Sequence, residues 1–294
     1  MTVKYLSLEY NKVNERGTFS PGDTVSGKVI VVTNKETKVQ CFVVRAKGKA
    51  EVTWSEQEGQ NTVVHNDKKR YFYFKHIILQ DKNKGDGKKS FTLSGRNLFP
   101  FTFEIPNTDM PSSFKGKWGK IIYTLRAKLT LSIWLVHKTK IEFPFLTKAE
   151  FPFASKSEMI IIGLQVGNFF LLIVKILNDS TRTVTPKFYL SETQTFVADS
   201  KRVVHTNDVL FGSGDCVPAE SRQTVTRVLS IPPQTPPTFF NCSMMRLEYR
   251  IKVPRQNTLI KHTLSRQTSV FPQKTIHKQN KSINGCNRQT TNSH

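Results

Sequence analysis

The chain has 294 residues, of which 37% are hydrophobic, so it can bury the core of one large or two ordinary domains. This composition excludes a wholly disordered protein. The 44 Lys and Arg residues outnumber the 22 Asp and Glu residues, giving a formal net charge of +22. Such an excess indicates anionic partners or an atypical segment.

The basic residues are unevenly distributed. Residues 1–150 hold 26 Lys and Arg against 14 Asp and Glu, whereas residues 254–294 hold 7 against none. The N-terminal half and the tail are therefore the strongly basic parts of the chain.

The cysteines are few and far apart, and Cys41, Cys216, Cys242 and Cys286 form no CxxC pair. This usage is typical of a reducing compartment. The first residues, MTVKYLSLEYNK, also lack the apolar core of a signal peptide. We therefore expect a cytosolic protein.

Period-two alternation dominates residues 1–150. Every odd position in residues 121–135 is apolar, which predicts one long, half-buried strand. In residues 42–54 the even positions are apolar and the odd positions are largely charged. Further strands are predicted at residues 71–79, 89–93 and 98–105. Because no stretch shows a clear 3.6-residue period, two sheets packed face to face are the expected architecture.

The second half of the chain shows the same period-two alternation less regularly. The prolines at positions 144 and 152 predict a connector near residues 146–158. The sequence after residue 253 is basic, polar and aperiodic, which is typical of disorder. Strands are predicted at residues 170–177, 183–190, 193–205, 223–231 and 239–253. The predicted domains are residues 1–150 and 151–253, followed by a tail at residues 254–294.

Residues 159–177, MIIIGLQVGNFFLLIVKIL, allow two interpretations. Nineteen mostly apolar residues could form a membrane-spanning helix. However, Gly163, Gly167 and the polar Gln165, Asn168 and Lys175 also fit two buried strands joined near residues 167–168. Both interpretations stay open from the sequence alone.

Several stretches occur together in a recognisable order. These are GDTVSGKVIV, VRAKGKAEVTW, RYFYFKHIIL, FPFTFEIP, PSSFKGKWGKIIYTLRAKL and IPPQTPPTFFNCSMMRLEYRIKV. Over residues 1–253 the chain resembles the arrestin domain-containing proteins (α-arrestins), and most nearly the group called arrestin domain-containing protein 3-like. The resemblance implies an all-β fold of two tandem immunoglobulin-like sandwiches. It also implies a non-enzymatic adaptor that links membrane-protein cargo to ubiquitination, endocytosis and endosomal transport.

The sequence departs from the family pattern in its second half. Only residues 165–173 stand where the opening strands of the second sandwich are expected, and the basic tail replaces a closing strand after residue 253. We therefore expect the second sandwich to be incomplete.

The chain also departs from the family in its ligase-binding motifs. It contains no PPxY motif of the kind that longer members use to recruit ubiquitin ligases, and the nearest string is Pro236-Pro237-Thr238-Phe239. Any ligase link is predicted to be indirect.

No motif for catalysis or metal binding stands out. The histidines are scattered, no HxxxH, HExxH or CxxC spacing occurs, and neither a GxSxG elbow nor a Walker loop is present. The sequence therefore predicts no catalytic residue, no metal, no cofactor and no enzymatic activity.

The candidate binding residues are basic side chains on the polar sides of two predicted strands: Arg45, Lys47, Lys49, Arg126 and Lys128. Such rows are usually only solvated surface. If the two strands are neighbours, however, their charges would form one patch for anionic lipid headgroups or a phosphorylated receptor tail.

Two further candidates come from the family resemblance alone. It associates basic residues near the first strand with the recognition of cargo and phosphate, and Lys4 and Lys12 are the loose counterparts in this sequence. The implied partners are the cytosolic tails of membrane receptors or transporters.

Residues 68–76, KKRYFYFKH, interleave cations with aromatic rings. Such a string could stack nucleic-acid bases, or it could be an ordinary strand after a charged loop. We expect no specific nucleic-acid partner.

Three hypotheses follow from these patterns. The first is a trafficking adaptor, and the second is a charge-driven binder of phosphoinositide or nucleic acid that uses the tail as an arm. The third is a truncated product in which only the first sandwich is competent.

Overall fold

The computed structural model describes residues 2–80, 91–147, 164–166, 169–231 and 235–252. These residues form β-strands and no α-helix, as the alternation predicts. The strands are β1 (Val3–Tyr10), β2 (Thr24–Val39), β3 (Cys41–Glu58), β4 (Asn61–Gln80), β5 (Phe91–Glu104), β6 (Phe114–Lys115), β7 (Gly119–Thr130), β8 (Val136–Phe143), β9 (Leu164–Val166), β10 (Phe169–Asn178), β11 (Lys187–Ala198), β12 (Lys201–Ser213), β13 (Ser221–Ser230) and β14 (Met245–Lys252).

The first eight strands form two antiparallel sheets that share one core. One sheet has the order β1-β2-β5, and the other has the order β4-β3-β7, with β6 and β8 both paired along the outer edge of β7. The alternation in β3 and β7 explains this packing, because each strand turns one set of alternate residues inward. The even positions of residues 42–54 and the odd positions of residues 121–129 are buried, which confirms both predictions.

The prediction of one long strand over residues 121–135 is wrong at its C-terminal end. β7 stops at Thr130, and the chain reverses through a turn before β8. The Leu131 amide donates to the Leu135 carbonyl at 2.9 Å, and the Leu135 amide donates to the Ser132 hydroxyl at 3.1 Å. The apolar residues at positions 133 and 135 therefore face solvent instead of extending the core.

The other six strands form a second pair of sheets, with the orders β9-β10-β13 and β11 between β12 and β14. The strand predicted at residues 170–177 is confirmed as part of β10. The break predicted between residues 190 and 193 is wrong, because β11 continues to Ala198. The reversal comes instead at Asp199 and Ser200, whose φ angles are +51° and +62°.

The apolar stretch at residues 159–177 forms strands where the structure describes it. β9 pairs antiparallel with the start of β10, with Phe169 opposite Val166. Residues 159–163 and 167–168 lie outside the described residues. In the described part of the chain, no helix is long and apolar enough to cross a membrane.

The predicted incompleteness of the second sandwich stays a prediction. Residues 148–163 and 253–294, which precede and follow its strands, lie outside the described residues. The predicted disorder of the tail falls in the same undescribed part.

The two sandwiches pack against each other through aromatic side chains. Trp118 contacts Phe196 and His205 edge-on, with ring centroids 5.8 Å and 5.7 Å away. The ring of Phe114 lies 5.1 Å from that of Phe239. Buried apolar residues of both sandwiches form one continuous cluster. The core therefore extends across the contact between the domains.

Gly119 lies in this contact, where a side chain has room only if a neighbour moves. A Cβ there would lie 2.6 Å from Met245 Sδ and 3.0 Å from the Phe196 ring. We expect Gly119→Ala to be tolerated by movement of the flexible Met245, whereas Gly119→Val should cost about 1–3 kcal/mol through overpacking. Thermal unfolding and limited proteolysis of the two variants would measure this. Equal stability of Gly119→Val and wild type would contradict the packing described.

Candidate functional site

Four cations form a row across the outer face of the five-stranded sheet. Antiparallel register places Lys75 on β4 opposite Arg45 on β3, Arg45 opposite Arg126 on β7, and Arg126 opposite Lys140 on β8. We call these four residues the cationic row. The sequence left open whether the strands of Arg45 and Arg126 are neighbours, and this register shows that they are.

The cationic row lowers the stability of the folded sheet, because like charges directly opposite each other on adjacent strands are destabilising. Among the described residues, no carboxylate forms an ion pair with Lys75, Arg45 or Arg126, whereas Lys140 Nζ lies 3.6 Å from Glu142. A sheet face with this arrangement is better suited to binding an anion than to stabilising the protein.

Arg45 is poised for such binding. Its guanidinium lies 6.0 Å from the centroid of the Tyr73 ring, and that of Arg70 lies 5.6 Å from the same ring. Arg45 Nε is buried and has no hydrogen-bond partner. The Tyr73 ring thus contacts both guanidinium groups, and a bound anion could accept a hydrogen bond from the unsatisfied Arg45 Nε.

Lys47 and Lys49 extend the positive face along β3. Partial burial, together with the charges of Lys49 and Arg70, lowers the pKa of Lys47. Lys49 forms an ion pair with Glu51. Burial alone would raise the pKa of the Glu51 carboxyl, but its hydrogen bond with Lys49 and the nearby lysine charges lower it. The charge of Lys49 is therefore partly balanced by a carboxylate, whereas Lys47 forms no ion pair with a described residue.

Lys128, another predicted site residue, lies at the opposite end of the same face. It stands opposite Lys138 of β8, one step beyond the Arg126–Lys140 pair. The structure therefore brings all five predicted residues of β3 and β7 to one face. The sequence alone did not assign Lys75, Lys138 and Lys140 to it, although the alternation in HKTKIEF could have indicated the last two.

An open cleft of about 440 Å³ lies at the other end of the sheet. Its lining includes Lys68, Lys115, Lys117 and Lys120 together with Glu51. The Lys117 amide donates to Gln194 Oε1 at 3.0 Å, which connects the cleft wall to the second domain. This basic cleft was not predicted from the sequence.

Lys4 and Lys12 lie apart from the cationic row. Both are exposed, with Lys4 in β1 and Lys12 just beyond its end, so they flank the edge strand of the three-stranded sheet. The structure does not bring them together with Arg45 or Arg126. Their role in binding stays a prediction.

One cluster among the described residues has the spacing of metal ligands. Ligand atoms of Glu56, Glu58 and His65 lie within 4.8 Å of one another. The ammonium of Lys201 from the second domain pairs with both glutamates, and the Asn66 amide donates to Asp199 Oδ2 at 3.1 Å. Because the Lys201 ammonium pairs with both carboxylates, this cluster forms an ionic contact between the domains.

The Pro236-Pro237-Thr238-Phe239 string is built into the fold. Phe239 is buried against Phe114 and forms an isolated β-bridge with Leu247. Its ring is therefore not presented to a partner in the way that a WW-domain ligand requires.

Two β-sandwiches in tandem, with a basic outer sheet face on the first, are consistent with an arrestin-like class of protein. Two family models match the sequence: residues 6–146 match the Arrestin (or S-antigen) N-terminal domain, and residues 163–279 match the Arrestin (or S-antigen) C-terminal domain. The chain belongs to the arrestin family and is an arrestin domain-containing protein (α-arrestin). The predicted domain limits at residues 150 and 253 stay predictions.

The chain is also similar to curated proteins at 24–28% identity. Arrestin domain-containing protein 4 of Mus musculus and that of Homo sapiens are each 24% identical over 283 residues, which covers 85% of this chain and 67% of the relative. Thioredoxin-interacting protein of Homo sapiens is 28% identical over 144 residues, which covers 49% of this chain and 36% of that protein. The finer resemblance to the arrestin domain-containing protein 3-like group stays a prediction.

Proposed function

We propose that this protein is a non-enzymatic cytosolic adaptor that binds acidic or phosphorylated cytosolic tails of membrane receptors and transporters. The observation that carries the proposal is the cationic row, because it places adjacent cations on an open sheet face where the described residues supply no matching set of carboxylates. Guanidinium groups such as those of Arg45 and Arg126 suit carboxylate and phosphate oxygens, to which they donate paired hydrogen bonds.

The downstream role that we propose is to link bound cargo to ubiquitination, endocytosis and endosomal transport, with the protein held peripherally at the plasma membrane and endosomes. Membership in the arrestin family supports an adaptor role. Because the sequence has no PPxY motif and Phe239 is buried, we propose that any ubiquitin ligase is reached through the cargo or through another protein.

Lys4 and Lys12 are tested separately from the cationic row. The full chain would be used to capture membrane proteins from detergent extracts, in parallel with Lys4→Glu/Lys12→Glu. We expect the wild type to enrich receptors or transporters and the variant to retain them several-fold less, because charge reversal repels acidic tails.

The matched control is Lys187→Glu/Arg202→Glu, which changes the net charge equally at two exposed sites of the second domain. Equal capture by Lys4→Glu/Lys12→Glu and the wild type would remove these two lysines from the proposed site. If the wild type enriches no membrane protein, the adaptor proposal itself fails.

A further inference from the structure

The turn between β7 and β8 carries the two most exposed large apolar side chains of the described residues. Ile133 and Trp134 expose 82% and 93% of their surface, and the adjacent Leu135 exposes 43%. Single exposed apolar residues are common on protein surfaces. Three in succession, including a tryptophan, are typical of an interaction site. We call residues 133–135 the apolar tip.

The apolar tip is presented by regular structure. The pairing of β7 and β8 continues up to Thr130 opposite Val136, and hydrogen bonds from Leu131 to Leu135 and from Leu135 to Ser132 close the turn. The tip therefore projects from the end of the sandwich in a defined conformation.

Cations lie directly behind the apolar tip on both strands. Lys128 stands opposite Lys138, two residues before the pairing ends, which corresponds to roughly 7 Å along the strand. Arg126 and Lys140 form the next pair. Residues 126–141 contain no Asp or Glu. The hairpin thus combines an apolar end with a positive stem.

We propose that the apolar tip inserts into the headgroup region of an anionic lipid bilayer while the stem cations bind the lipid phosphates. Apolar side chains of peripheral proteins lie about 5–10 Å below the headgroup level, and tryptophan is enriched at that interface. The Lys128–Lys138 pair lies roughly 7 Å before the end of the strand pairing, so these cations can stay at the level of the lipid phosphates while the apolar tip lies deeper. Because the stem is positively charged, charge complementarity favours an anionic lipid surface as the partner of this hairpin.

This inference goes beyond cargo binding, because lipid alone is the partner. It is tested by sedimentation of the full chain with phosphatidylcholine vesicles with and without phosphatidylserine. We expect binding only to the anionic vesicles. Ile133→Ser/Trp134→Ser should lower it by about tenfold or more, because two large apolar side chains no longer enter the bilayer. Lys138→Glu should lower it by about fivefold or more, since each cation near an anionic surface contributes about that factor.

Matched controls separate insertion from general stickiness. Leu98→Ser/Val228→Ser removes two exposed apolar side chains on other strands, outside the turn, and should bind as the wild type does. Tryptophan emission should shift to shorter wavelength on vesicle binding of the wild type. In Trp134→Phe, binding should persist while this shift is largely lost.

Two results would overturn the proposal. The first is that the wild type does not bind anionic vesicles. The second is that Ile133→Ser/Trp134→Ser binds them as tightly as the wild type does. If this variant also captured fewer proteins from detergent extracts, the apolar tip would be a protein-docking site instead. Because the vesicles contain no cargo and the capture experiment contains no bilayer, failure of this inference is distinguishable from failure of the adaptor proposal.

Discussion

Tyr123→Ala should destabilise the first sandwich by about 3–5 kcal/mol, because the substitution leaves a large cavity in a close-packed core. The Tyr123 ring is completely buried, with its centroid 4.3 Å from that of Phe145 and 5.9 Å from that of Phe72. Its hydroxyl donates to the Pro111 carbonyl at 2.6 Å. A loss of this size is a large part of the stability of a typical domain.

Tyr123→Phe separates the two contributions of this side chain. It keeps the ring packing and removes only the hydrogen bond, so we expect a loss of about 1 kcal/mol. Tyr5→Ala, at an exposed tyrosine of β1, is the control and should change stability little. Urea unfolding followed by tryptophan fluorescence would give the three values. If Tyr123→Ala unfolded at nearly the same urea concentration as Tyr123→Phe, the close packing described around the Tyr123 ring would be contradicted.

Reversing two charges of the cationic row should lower binding of an acidic phosphopeptide by about a hundredfold. The change is Arg45→Glu/Arg126→Glu, and the estimate assumes about tenfold for each charge-assisted contact that is lost. Fluorescence anisotropy with a labelled peptide that carries phosphoserine measures the affinity directly. Lys187→Glu/Arg202→Glu is the control of equal net charge and should bind with nearly the affinity of the wild type.

The same substitution should leave thermal stability unchanged or slightly raised. In the double variant the two introduced glutamates face Lys75 and Lys140, so two of the three like-charge pairs of the row become opposite-charge pairs, while the central pair stays like-charged. Lower affinity without lower stability would distinguish a binding role from a structural role.

The sequence predicted the buried faces of β3 and β7 correctly because both strands alternate over many residues, with Val43 and Ile122 as buried exceptions. Alternation gives the face of a side chain, but it does not give the point where a strand ends. Residues 131–135 contain neither glycine nor proline, so the alternation continued through a turn that the structure closes with Ser132. The exposed Trp134 was therefore not recognised as a surface feature.

The candidate site was predicted only in part for a different reason. Arg45 and Arg126 are far apart in sequence, and their alignment depends on the register of β3 with β7. The same holds for Lys75 and Lys140, which complete the row from the strands on either side. Register is determined by packing and turn geometry, so single-strand patterns did not identify these last two residues.

The contact between the domains was not predicted at all. The pairing of Lys201 with Glu56 and Glu58 and the packing of Trp118 on Phe196 join residues that are distant in sequence. Each of these residues alone is consistent with an ordinary surface or core position. Only the folded arrangement of the two sandwiches brings them together.

The salt dependence of phosphopeptide binding tests most directly whether the cationic row is the recognition surface. Anisotropy titrations of the wild type and of Arg45→Glu/Arg126→Glu would be repeated at increasing sodium chloride concentration. We expect the affinity of the wild type to fall steeply with salt, because solvent-exposed charges are screened. The double variant should be weak and nearly insensitive to salt. Equal affinity of the two proteins, or tight binding by the wild type that is independent of salt, would contradict the account.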